Sequence, residues 1–169
     1  ARTTAVLDQL GLNILDARIV PTANGYSIET YVVLEGGGGA IVDAERIREI
    51  ENALRHNLDQ PDGAELTVTR RAPRQVRLFA TATQVNLSHD ARNDRTIVEI
   101  ITGDRPGLLS VIGRIFMHDR VDIHGARIVT VGERAEDVFY VTGEDGAPLA
   151  EAAGQQLAAR IVESLDRRG

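Results

Sequence analysis

The sequence predicts an α+β fold made of two tandem copies of one unit, each a mainly antiparallel sheet with helices on one face. Two observations carry this. Short β-branched runs alternate with amphipathic helical stretches in the order helix–strand–strand–helix, strand, strand–helix–strand–strand–helix. Residues 12–20 also match residues 121–129 at an offset of 109, with Ala17-Arg18-Ile19-Val20 repeated unchanged as Ala126-Arg127-Ile128-Val129. At the same offset Tyr31-Val32 falls on Tyr140-Val141 and Val6-Leu7 on Ile115-Phe116, so the match runs without a gap through helix, strand and hairpin.

Taken in order, Val6, Leu7 and Leu10 share one helical face, and Gly11 ends that helix. Residues 12–20 read as a strand. Pro21 to Gly25 is a turn, and Tyr26 to Leu34, rich in Tyr, Ile, Thr and Val, completes a hairpin. After a flexible glycine run at 36–39, Asp43 caps a helix whose apolar face is Ile47, Ile50, Leu54 and Leu58, stopped by Pro61-Asp62-Gly63. Residues 64–82 show no clear period, and Arg70, Arg71, Arg74 and Arg77 cluster there around Pro73. Thr83 to Ser88 is a strand and Asp90 to Asp94 a polar turn. Thr96 to Thr102 is a strand that is β-branched throughout except at Glu99.

The next stretch holds the candidate chemistry. Gly103, Pro106 and Gly107 break the strand, Asp104 is the expected N-cap, and Pro106 sits just inside the helix start. Leu108, Leu109, Ile112, Ile115 and Phe116 then form one helical face. A glycine-flanked turn feeding a helix offers free backbone N–H groups and a partial positive charge, which suits the carboxylate of a small ligand. The same residues also make an ordinary helix start.

Val121 to Val131 reads as a strand, Gly132 to Arg134 as a turn and Val138 to Thr142 as a strand. Asp145-Gly146 breaks it, and the last helix buries Leu157, Ile161 and Leu165. Since the second unit ends on a helix, Thr83 to Ser88 is expected to hairpin with Thr96 to Thr102 in its sheet. The offset sets Ala1 opposite Ser110, so the first unit lacks the strand and turn equivalent to Thr96–Leu109, and the chain is expected to be a fragment of something longer. The boundaries that follow are a first unit at 1–68, an Arg-rich linker at 69–82 and a second unit at 83–169.

Composition narrows the function. The chain has 169 residues, 43% of them hydrophobic, enough for real cores. A net charge of −6 disfavours a nucleic-acid binder. The absence of Cys removes disulfides and thiolate metal sites. No apolar run approaches the ~20 residues of a membrane span, and the first residues do not read as a signal peptide, so the expected location is cytoplasmic. All cations are Arg, which reads as coding bias.

His89-Asp90 resembles a metal-phosphohydrolase dipeptide, but His56, His118 and His124 sit on other elements without ligand spacing, so a turn is the better reading. There is no P-loop and no nucleotidyltransferase carboxylate cluster. Glu133 and Glu136 read as a solvated hairpin. The arginine cluster reads as a solvated linker more readily than as a phosphate site, with docking on an acidic surface left open.

The strand, the turn Asp104-Arg105-Pro106-Gly107-Leu108-Leu109, the helix, and an Asp or Asn before an Ile at the next strand (Asn13-Ile14, Asp122-Ile123) together resemble the ACT domain, a small-molecule-sensing module. Two copies in tandem, with residues 132–142 in the second and Arg71-Ala72-Pro73-Arg74-Gln75 between them, resemble the C-terminal end of the bacterial bifunctional PII uridylyltransferase/uridylyl-removing enzymes. The resemblance covers nearly the whole chain. It implies tandem ferredoxin-like βαββαβ modules, the first without its N-terminal strand. It also implies glutamine sensing, with glutamine switching the parent enzyme from uridylylating PII towards removing the uridylyl group. The implied ligand-binding residues are Asp104, Arg105, Pro106, Gly107, Leu108, Asn13, Ile14, Asp122 and Ile123. No catalysis, cofactor or metal is implied for this segment, and Mg²⁺ is expected in the parent's catalytic domains. The implied partners are glutamine and, through the parent, the PII protein, with oligomerisation left open. Two alternatives remain: a structural pair whose sheets join edge to edge around a vestigial loop, and the amino-acid-sensing ACT region of another regulatory enzyme.

Overall fold

Strand parity and the repeat decide the architecture together. In the computed structural model, which describes residues 2–22, 24, 26–60, 81–131 and 133–167, the elements are α1 (Arg2–Gln9), β1 (Leu12–Pro21), β2 (Ser27–Glu35), α2 (Ala44–Leu58), β3 (Gln84–Asp90), β4 (Arg95–Gly103), α3 (Leu108–His118), β5 (Val121–Arg127), β6 (Thr130–Val131), β7 (Arg134–Gly143) and α4 (Glu151–Asp166). The strands form one antiparallel sheet in the order β2-β1-β5-β7-β4-β3, with the short β6 paired on β7. The expected hairpin of β3 with β4 is present, Gln84 opposite Ile101 and Asp90 opposite Arg95. The second repeat thus gathers a four-stranded antiparallel sheet, with β3 at its edge in place of a closing strand after α4, while the first shows helix, two strands and helix among the described residues, both consistent with ferredoxin-like modules.

The two modules do not keep separate sheets. β1 pairs with β5, Asp16 opposite Arg127, Ala17 opposite Ala126 and Arg18 opposite Gly125. Ala17 and Ala126 are equivalent at the offset of 109, so the repeats meet across a local two-fold axis between these strands.

One face of the sheet carries the core. Along β4, Thr96, Val98, Ile100 and Thr102 are buried while the residues between them are not, the period of two of a strand covered on one side. Against this face lie Ile112, Ile115 and Phe116 of α3 and Leu157, Ile161 and Leu165 of α4, as their helical spacing predicts. Phe116 meets Phe139 edge to face at 5.2 Å between centroids, an arrangement worth ~1 kcal/mol beyond burial. Gly154 of α4 faces Leu87 of β3, where an added Cβ would stand 2.9 Å from Leu87 Cδ1 and push that side chain aside.

The first repeat is more open. Asp43 caps α2 as expected, accepting from Glu45 N–H at 3.0 Å. Yet α2 buries no residue fully, and Ile47 and Leu58 of its apolar face stay exposed. Arg46 holds the helix in place, bonding Glu35 at the end of β2 and the Leu10 carbonyl after α1.

Three expectations need correction. Asp104 is not the N-cap of α3: its N–H bonds the Glu133 carbonyl at 2.8 Å and keeps it tied to the sheet end. The cap is Gly107, and Pro106 lies in the turn before the helix. The strand expected at 121–131 is interrupted after Arg127, where Ile128 turns into the core, and resumes as β6. The strand expected at 138–142 begins earlier, at Arg134. The Pro61-Asp62-Gly63 stop, the Arg70–Arg77 cluster and the boundary at residues 68 and 69 lie outside the described residues.

Candidate functional site

The turn between β4 and α3 is built from backbone bonds. After the Asp104 anchor, the Leu108 N–H returns to the Arg105 carbonyl at 3.2 Å. Gly107 takes a left-handed conformation, φ 83 and ψ 0, which costs an L-residue about 1–2 kcal/mol and costs glycine nothing. Arg105 reaches across to the Leu165 carbonyl at 2.6 Å, placing a cation at the negative end of α4. Opposite stands the first repeat: Asp8, near the end of α1, accepts a hydrogen bond from the Gly107 N–H.

Between these parts lies a cavity of about 500 Å³. The first repeat supplies Thr4 and Asp8 from α1 and Leu12, Asn13 and Ile14 from β1. The second supplies Asp104, Arg105 and Pro106 from the turn, Leu108 from the start of α3, and Asp137 from β7. Six of the residues implied by the resemblance thus line one cavity: Asp104, Arg105, Pro106, Leu108, Asn13 and Ile14. Gly107 adjoins them through Asp8. Asn13 also donates from Nδ2 to the Gly36 carbonyl at 3.3 Å.

Asp122 and Ile123 are not in this group. They pair with Thr142 and Val141 at the far end of β7, whereas the turn adjoins Arg134. Eight residue-to-residue steps along the strand lead from Arg134 to Thr142, roughly 27 Å at about 3.4 Å per step. The local two-fold axis relates Asp122 and Ile123 to Asn13 and Ile14.

The residue the sequence reading missed is Asp137. It is 1% exposed, and neither carboxylate oxygen has a hydrogen-bond partner among the described residues. Burial pushes its carboxyl up to about 7 and the Asp104 charge adds to the rise, while the nearby Val129 backbone N–H, not aligned well enough to count as a hydrogen-bond partner, opposes it. Asp104 is itself raised by burial. Two buried acids lining one cavity suit a cationic group, which would give the Asp137 oxygens donors and offset their charge. The signal for Asp137 was strand parity: Ala135, Asp137, Phe139 and Val141 alternate on the buried face of β7. Asp8 had no such signal, since its partner is 99 residues away.

The comparisons with known proteins concern the same residues. The bifunctional uridylyltransferase/uridylyl-removing enzyme of Pseudomonas savastanoi pv. phaseolicola is 42% identical over 166 residues, 98% of this chain. That of Ectopseudomonas mendocina is 44% identical over 169 residues, and that of Acinetobacter baumannii strain ATCC 17978 is 42% identical over 166. The chain is homologous to one segment of these enzymes. It spans 18–19% of the length of the uridylyltransferase/uridylyl-removing relatives, and the matched stretch takes in both repeats and hence both walls of the cavity. No family model matches the chain, and no solved structure does. Among the described residues, no helix is long and apolar enough to cross a membrane.

Proposed function

We propose that this chain is the glutamine-sensing regulatory part, built as a tandem ACT pair, of a cytoplasmic bifunctional PII uridylyltransferase/uridylyl-removing enzyme, and that it performs no chemistry itself. The observation that carries the reading is the unpartnered, buried Asp137 beside Asp104 in a cavity walled by both repeats. An α-ammonium group bound there supplies hydrogen-bond donors and a positive charge, and Asp137 ionises to pair with it. The α-carboxylate then belongs at the turn, where the start of α3 favours an anion. The acidic floor disfavours a second carboxylate, which separates glutamine from glutamate. A ligand touching both repeats biases their relative arrangement, and this coupling is what a catalytic part can read. In the parent enzyme the bound state favours removal of the uridylyl group from PII.

The rival reading is a purely structural pair, and the β1–β5 pairing favours it, since edge-to-edge joining needs no ligand. Isothermal titration of the chain with a panel of free amino acids separates the two. Glutamine should bind, with glutamate at least tenfold weaker. No heat from any amino acid at millimolar concentration would support the structural pair.

A further inference from the structure

The cavity assigned above to the effector is bordered by a contact between the repeats. Asp8 of α1 accepts from the backbone N–H of Gly107, the N-cap of α3, which has no side-chain cap of its own. That N–H stands at the positive end of the α3 dipole, a place that favours an anion. Independently, the buried Asp137 carboxylate lines the same cavity without a partner among the described residues. The cavity thus has a seat for a cation and, at the turn, a carboxylate already in position. An α-amino acid carries both charges on one carbon.

We propose that Asp8 is an internal competitor for the α-carboxylate of the effector. It holds the Gly107 N–H until the carboxylate of a bound amino acid takes its place. The proposal rests on the effector reading above and adds a residue to it. It also gives binding a mechanical consequence. α1 packs on α2 and β1 as well as on α3, so displacing Asp8 from the Gly107 N–H changes one link between the repeats while the β1–β5 pairing stays in place. The competitor raises the glutamine concentration at which the site fills, because the apparent affinity is the intrinsic one scaled by the fraction of molecules with the N–H available.

The test is isothermal titration of L-glutamine into the chain, Asp8→Ala and Asp8→Asn, with melting temperatures for all three. Asn keeps the shape and an acceptor oxygen but not the charge, so it serves if Ala disturbs folding. Asp8→Ala should tighten glutamine binding on the order of tenfold, the effect of removing a competitor bound about nine-tenths of the time. Asp8→Asn should fall between the two. If the parent chain binds glutamine and both variants bind equally or more weakly, Asp8 is a structural cap or a ligand contact; the competitor is overturned and the effector reading stands. Binding by the variants alone supports both proposals. If none of the three binds glutamine, the effector reading is overturned and the competitor with it.

Discussion

Replacing Asp137 with Asn should stabilise the protein at pH 8 and remove much of its pH dependence. The carboxyl titrates near 3.8 when unperturbed and near 7 in the fold, chiefly because burial opposes its charge. A folded-state value above the unfolded one means the native state binds the extra proton between these limits. Stability from this group is therefore full below about pH 4, is lost as pH rises to about 7, and stays lost above. At 1.36 kcal/mol for each pH unit, the difference corresponds to about 4 kcal/mol at most. Asn is neutral throughout but brings an amide N–H₂ that needs acceptors, a cost of about 1–3 kcal/mol if unmet. The net gain at pH 8 should be on the order of 1–3 kcal/mol, shrinking to nothing or reversing at pH 4. Urea denaturation of both proteins from pH 4 to pH 8 measures it. Parallel stability curves, or an Asn variant weaker by the same amount at every pH, would refute the assignment of Asp137 as a buried, unpaired acid.

Further outcomes follow from the same geometry. Gly107→Ala should cost about 1–2 kcal/mol in folding, because φ is 83 there, and should weaken glutamine binding, while His89→Ala on the exposed hairpin changes neither; equal binding by both variants would leave the turn as only a helix start. Hydrogen exchange should be faster at residues 12–34 than at 121–142, since β2 buries no residue fully and β7 buries Ala135, Asp137, Phe139 and Val141; equal protection counts against this. Asp43→Ala should cost about 1 kcal/mol by loss of the α2 cap, read as a lower urea midpoint.

Much of this arrangement was legible in the sequence. Period-two and helical patterns located every helix and strand among the described residues except the two-residue β6, and the offset of 109 identified the repeats. The α3 start was misplaced because Asp-Arg-Pro reads locally as a cap. The tertiary bond from Asp104 N–H to Glu133 decides instead, and no local pattern encodes it. The exposure of Ile47 and Leu58 was equally hidden, since helical spacing marks an apolar face but not what covers it. The sequence singled out the turn together with Asn13 and Ile14, and these line one cavity. Asp122 and Ile123 are equivalent to Asn13 and Ile14 but lie away from this cavity, because equivalence in a repeat does not make residues neighbours across a two-fold axis.

The central claim is that one cavity between the repeats holds an amino acid. The direct measurement is a titration of ¹⁵N-labelled chain with L-glutamine, followed by amide chemical shifts. Saturable shifts are expected at Asn13, Ile14, Gly107, Leu108 and Asp137, with Asp122 and Ile123 unmoved. Shifts centred on Asp122 and Ile123, or none at millimolar glutamine, would contradict it.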